Sequence, residues 1–351
     1  MNTVVRASLA VALKQRGGCN CCQAVLLALA DETALSGEDL KPIGAGFCAG
    51  MGTTGATCGA LLGAGMIAGL KTKGENTLKY SRQLFDEFER LSGATLCKDL
   101  KEAYRYGVRN IVDMTNQSMG RAPEHVKRLI DETGINIIMS TGHYLEKYID
   151  PAIMRRTSQD IAEEAVRDLL YGIDESGIKA GVIGEIAWCH EGPFEKELRS
   201  WEGMCMAARK TGAVVSTHPS RGIQQIPQAE YLISHGVAPE KIVIGHIEFY
   251  PDDKALKKLL SMGVYIGLDM IGKKEGRGDE YRADTAAKVK EWGYIDRMVL
   301  SMDICKTSAL RSAGGYGYAY MFETFIPMLK ERGFTEEDIE MMLIDNPKRL
   351  F

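Results

Sequence analysis

The sequence predicts an α/β protein: an incomplete TIM-type (β/α) barrel of seven parallel strands, preceded by an all-α, cysteine-rich domain. Three observations predict it. From about Lys101 onward, short β-rich runs alternate with amphipathic helical stretches, the pattern of βαβ units and a parallel sheet. Before that point only helical periodicity is present. Six of the nine cysteines, Cys19, Cys21, Cys22, Cys48, Cys58 and Cys97, fall in this front segment.

In the front segment, Val4–Gln15, Gln23–Ala30 and Leu78–Leu91 space their apolar residues three and four apart, as one buried helical face requires. Gly44–Gly69 is rich in Gly and Ala. It reads as two close-packed helices joined by a turn at Met51–Thr57, small side chains letting the backbones approach. The strand-like runs are Arg109–Thr115, Asn136–Thr141, Ala180–Ala187, Ala213–Thr217, Lys241–Ile247, Val264–Leu268 and Arg297–Ile304. Between them Pro123–Thr133, Ser158–Tyr171, Phe194–Thr211, Gln228–His235 and Asp253–Met262 read as helices. A closed barrel of this type needs eight strands, so the pattern is one short. The seam near Leu100–Lys101 separates a helical domain, 1–100, from the barrel, 101–351, with no flexible linker to mark it.

The bulk numbers are those of an ordinary globular chain: 351 residues, 45% hydrophobic and 26% charged. That length suffices for two compact domains. A net charge of −4 gives no electrostatic ground for a nucleic-acid partner. The first residues, with charges at Arg6 and Lys14, lack the charged front and long apolar core of a secretory signal. The most apolar stretch, Cys58–Leu70, is too short and too glycine-rich to span a bilayer. The expectation is a cytoplasmic protein with a small-molecule substrate and no membrane partner; a homo-oligomer stays open. Gly50-Met-Gly-Thr-Thr-Gly55 satisfies the dinucleotide fingerprint G-x-G-x-x-G, but helical sequence precedes it where that site needs a strand.

Polar residues collect at the C-terminal ends of the strand-like runs. Glu185 lies in VIGEIAW, His218 in AVVSTHP, His246 in IVIGHIE and Asp303 in MVLSMDI. In a (β/α) barrel that face is where catalytic groups converge, while apolar side chains fill the strand interiors. Two imidazoles and a carboxylate are a standard set for a catalytic zinc that keeps one position open for water. His143 and Tyr144, just after the run Asn136–Thr141, are candidates for the substrate pocket. Lys273, Arg277 and Lys306 near strand ends read either as anion-binding groups or as solvated loop charges.

The order GEI, STHP, IGHI, SMDI resembles the phosphotriesterase-like branch of the amidohydrolase superfamily. So does the tail from Gly314-Gly-Tyr-Gly-Tyr318 through FETFIPMLKERGFTEEDIEMMLIDNPKRLF. The resemblance runs from about Leu100 to Phe351. It implies that Glu185 holds the place of a carboxylate bridging two divalent metals. His218 and His246 would then hold the more exposed ion, and Asp303 would contact the other and shuttle the proton. The family's buried metal also needs a His-x-His pair on the first strand. The six histidines are His125, His143, His190, His218, His235 and His246, and no two form that pair. The resemblance therefore implies that the first family-like strand here is the family's second, with one zinc or other divalent site kept and the second in doubt.

The front segment resembles a second family, the redox-active C-GCAxxG-C-C family. The match rests on CNCCQAVLLALADE, GFCAGMGTTGATCGALLGAGMIAGL and GATLCKDL. Cys22, Cys58 and Cys97 occupy the matching places, with Cys48 and the Cys19/Cys21 pair as further candidates. This implies thiol redox chemistry, a thiol-bound metal or an iron–sulfur cluster. Cys58 stands at an expected helix start, where the dipole favours thiolate. The same cysteines also read as small apolar residues in a tightly packed bundle. The leading reading is a metal-dependent hydrolase of ester, lactone or phosphoester bonds, impaired if the strand-one ligands are lost. The alternative is a thiol redox or metal-binding protein with an inactive barrel.

Overall fold

The structure is a computed structural model that describes residues 3–15, 18–48, 51–52, 56–92, 106–133, 135–219, 224–249, 252–274 and 277–351. The chain divides into two compact units. One is Met1–Gly107 with Asp131–Thr133 and Ile304–Ala319; the other is Val108–Ile130, Gly134–Asp303 and Tyr320–Phe351. The contact boundary thus falls at Gly107–Val108. The expected seam at Leu100–Lys101 lies outside the described residues, as do Cys97 and most of the Gly50–Gly55 run.

In the first unit, α1 spans Thr3–Gln15, α2 Cys21–Ala28, α3 Gly37–Ile43, α4 Gly59–Thr72 and α5 Thr77–Ser92. No β-strand precedes Asn110 among the described residues. A capping box starts α2: Asn20 accepts the Gln23 N–H at 2.9 Å, and the Gln23 side chain accepts the Asn20 N–H at 2.9 Å. Among its described residues the Gly/Ala-rich segment forms one long helix, not two. Ala45–Phe47 makes only a single 3-10 turn, and α4 packs on α2 instead. The close approach is real, however. A Cβ on Gly59 would lie 2.8 Å from the Phe47 carbonyl oxygen, and one on Gly63 would lie 2.8 Å from that of Cys22. Cys22, Leu26, Leu40 and Ile67 form the core of this unit.

In the second unit, seven strands make one sheet in chain order: β1 Asn110–Asp113, β2 Asn136–Thr141, β3 Ala180–Trp188, β4 Val214–Pro219, β5 Ile242–Ile244, β6 Tyr265–Leu268 and β7 Met298–Leu300. Every neighbouring pair is parallel. Helices Pro123–Thr133, Ser158–Leu170, Glu195–Thr211, Gln225–Ser234, Asp253–Ser261 and Gly278–Glu291 connect successive strands. This is the incomplete (β/α) barrel that the alternating pattern implies. One cluster joins Val182, Val214, Val243 and Tyr265 to Val112, Ile138 and Val299, so each strand contributes one residue to the same apolar layer. Leu350, from the helix Asn346–Leu350, completes that layer. The Lys241 ammonium donates to the Arg349 and Leu350 carbonyls and fixes this last turn. Among the described residues no helix is long and apolar enough to cross a membrane.

Candidate metal centre

The strands end where the polar residues begin. Gly184, at φ +153°, lies so close to β4 that a Cβ there would sit 2.7 Å from the Ser216 carbonyl oxygen. The β3–β4 pairing shifts register between Ile183 and Ile186. Such irregularities re-aim a side chain at the end of a strand, and the residue re-aimed here is Glu185. Its carbonyl accepts a 3.0 Å bond from the Asn116 amide, just beyond β1.

Glu185, His218 and His246 each bring one ligand atom into a group whose members all lie within 4.8 Å of one another. His246 Nε2 is 2.9 Å from His218 Nδ1 and 3.6 Å from Glu185 Oε2, and His218 Nδ1 is 3.3 Å from Glu185 Oε2. Tetrahedral zinc with bonds of ~2.0–2.1 Å sets its ligand atoms about 3.3 Å apart. The three separations bracket that distance, and the donor set is the one such an ion prefers.

His246 is held by a residue that the sequence reading missed. Asp269 accepts the His246 backbone N–H on both oxygens, at 3.1 and 3.0 Å, and lies 2.6 Å from Nδ1. With Nδ1–H given to Asp269, Nε2 is the atom that faces His218 and Glu185, where a bound ion would displace its proton, the carboxylate–histidine arrangement that orients metal ligands. Space for Asp269 exists because its neighbours are glycines. A Cβ on Gly245 or Gly267 would come within 3.1 or 2.9 Å of Asp269 Oδ2. Burial alone would keep the His246 imidazole neutral. The Asp269 carboxylate, with Glu185 and Asp303 behind it, overrules burial and pushes the pKa up to about 10. The one sequence signal for Asp269 was its place directly after the run Val264–Leu268.

Tyr144 does reach the group: its hydroxyl lies 3.0 Å from His218 Nε2. His143 does not join it, contrary to the pocket expectation. Its Nδ1 pairs with Ser200 Oγ at 2.9 Å, and the ring is buried. Both residues lie in the loop after β2, where Tyr144 turns to His218 and His143 to Ser200. Burial drives the His143 pKa down to about 4, below the ~6.5 of an unfolded histidine. The neutral ring stabilises the fold above that unfolded value. The contribution is lost as pH falls from ~6.5 toward 4, by up to roughly 3 kcal/mol. Unfolding free energies at pH 7.0 and 4.5 are expected to converge by roughly 2 kcal/mol in His143→Asn; an equal acid loss in both proteins would remove His143 as the cause.

Asp303 is not in the three-residue group. It sits at φ +41°, and its carboxylate is taken by the Lys273 ammonium. Burial raises its pKa against the pull of Lys273 and His246. Arg277 and Lys306 are exposed, and Arg277 stacks over Tyr281. In the front unit Cys58 caps α4 and is buried with Cys22, while Cys48 is exposed. Burial, reinforced by Cys21 and Cys58, pushes the Cys22 thiol up to about 11, so it stays protonated. Among the described residues no three thiols converge as a metal or iron–sulfur cluster requires.

The family model described as Phosphotriesterase family matches residues 73–351. The match reaches back past Leu100 to include α5 and the segment that carries Cys97. The phosphotriesterase homology protein of Escherichia coli is 34% identical over 258 residues, 74% of this chain and 88% of the relative. Its crystal structure, complexed with phosphate in the active site, aligns with a TM-score of 0.69 over 72% of this chain and 87% of that one. The N-acetyltaurine hydrolase of Dictyostelium discoideum is 31% identical over 266 residues, covering 72% of this chain and 71% of the relative. A mutant of a PTE-like lactonase from Deinococcus radiodurans aligns at 28% identity with a TM-score of 0.65, over 72% of this chain and 85% of that one.

Proposed function

This chain belongs to the phosphotriesterase family, and we propose that it is a metal-dependent hydrolase whose centre is Glu185, His218 and His246. The observation that carries the reading is the convergence of three electron-pair donors, two imidazoles and a carboxylate, at the barrel mouth. A divalent ion such as zinc held there supplies a Lewis acid for the scissile carbonyl or phosphoryl oxygen and activates water near neutral pH. Asp269 keeps His246 in the tautomer that offers Nε2. The Tyr144 hydroxyl, beside His218, faces the space where a substrate oxygen would lie. Asp303, half-buried and raised in pKa, would take the proton of the attacking water. The bonds proposed are esters, lactones and phosphoesters, in line with the names of the relatives. The seven strands are read as the family's second to eighth.

The test is metal content per chain together with turnover. Protein purified without oxygen is loaded with zinc and assayed on a lactone, an aryl phosphotriester and N-acetyltaurine, before and after chelation. The reading predicts hydrolysis of at least one, lost with the metal and restored on its return. Zinc that survives His218→Ala, or no turnover in the fully loaded protein, would sink it.

A further inference from the structure

We propose that Lys273 is a cation built into the active site: its ammonium holds Asp303 and stands where a second divalent ion would otherwise be needed, so the chain works with one metal. The inference rests on the reading of Glu185, His218 and His246 as metal ligands. Its test is chosen so that the two can fail separately.

The donors left for a second ion do not fit one. Among the described residues, the carboxylates left at the mouth are Glu185, already in the first site, and Asp303, since Asp269 gives both oxygens to His246. Asp303 is already paired with Lys273. The remaining histidines lie outside the ligand group: His143 is buried against Ser200, His235 stacks on Tyr231, and His125 and His190 are exposed. No His-x-His exists anywhere in the chain.

Lys273 is not a surface lysine that has swung inward. Its side chain is only 14% exposed. Its backbone is fixed at both ends, the N–H donating to the Met270 carbonyl at 3.0 Å and the carbonyl accepting Arg282 Nη1 at 3.0 Å. Arg282 has no exposed surface. Its guanidinium lies 2.6 Å from Asp279 and 3.6 Å from Glu248. Asp279 also accepts the Gly272 N–H at 3.2 Å, and Glu248 accepts the Met270 N–H at 2.9 Å. A buried arginine and two carboxylates therefore hold the turn that delivers one ammonium to Asp303. A fixed positive charge on Asp303 repels any dication that approaches the same carboxylate in a partly buried site. It also satisfies the carboxylate that the dication would need.

Lys273→Gln removes the charge, and Lys273→Arg keeps it. The probe is manganese(II), which carboxylates and imidazoles bind in preference to thiolates, so the front cysteines do not confuse the count. Ions per chain and the electron paramagnetic resonance signal are followed during titration. The wild type and Lys273→Arg are expected to saturate at one isolated ion. Lys273→Gln is expected to take up a second ion at least about tenfold more tightly than the wild type does. A wild type that binds two ions of similar affinity, with a spin-coupled signal, overturns the inference and leaves the metal reading intact. A Lys273→Gln protein that saturates at one ion overturns it as well. A wild type that binds none overturns the metal reading itself. If Lys273→Gln does not fold, the wild-type count of one against two still decides.

Discussion

Replacing His246 with alanine is expected to lower zinc affinity at the barrel mouth by more than a thousandfold and to take hydrolysis with it, because two ligands cannot hold what three hold. Asp269→Asn is expected to be milder. The amide still accepts the His246 backbone N–H but no longer orients the ring with a full charge, and losses of such partners run to about 10- to 100-fold in metal affinity. The graded series is the informative part. Competition titration with a chromophoric chelator gives both affinities. If Asp269→Asn matches the wild type, the 2.6 Å contact to Nδ1 is packing without consequence. If it equals His246→Ala, Asp269 is itself a ligand.

Glu197→Ala is expected to destabilise the barrel unit by on the order of 3–5 kcal/mol. Glu197 has no exposed surface. One carboxylate oxygen accepts the N–H groups of Glu146 and Cys189, and the other accepts that of Phe194, each at 2.9 Å. Truncation takes the acceptor from three backbone donors at once; a buried orphan costs about 1–3 kcal/mol, and donors on half-buried or exposed residues such as these fall toward the low end. Glu197→Gln keeps one accepting oxygen but turns an amide N–H₂ toward the third donor, so its cost falls between. Trp188, Trp201 and Trp292 all lie in the barrel unit, so tryptophan fluorescence in urea reports that unit. A midpoint shift worth less than about 1 kcal/mol in Glu197→Ala would mean that water replaces the carboxylate. The residues tied down follow β2 and β3, the strands that bring Tyr144 and Glu185 to the mouth, so a looser site is expected with the looser fold.

The parts of the molecule legible in the sequence are those where one physical signal dominates. Strands such as Tyr265–Leu268 are buried on both faces and read as apolar runs whatever surrounds them. Glu185, His218 and His246 were legible because a polar residue at the end of such a run needs a reason. The rest depends on partners far along the chain. The helix Gly278–Glu291 went unseen because it buries Arg282 and Thr285 where periodicity looks for apolar residues. The turn it holds, and Lys273 with it, could not be placed against Asp303 from spacing alone. His143 and Tyr144 are neighbours in sequence, and only the course of the loop after β2 decides which reaches His218. The second helix expected in Gly44–Gly69 is a single 3-10 turn among the described residues, and the segment's glycines Gly44 and Gly63 serve contact with α2.

His246 and Asp303 stand at φ of +48° and +41°, a region that costs an ordinary side chain roughly 1–2 kcal/mol and that Gly, Asn and Asp enter most readily. That bias restricts how a lineage carrying this barrel can drift. Val, Ile or Thr at position 246 would compound the backbone penalty, whereas Asn or Gly would relieve it while discarding the imidazole. Loss of catalysis and gain of stability then lie along the same mutational step. Descendants that have abandoned hydrolysis should carry Asn or Gly at this position and melt higher than those that have kept it.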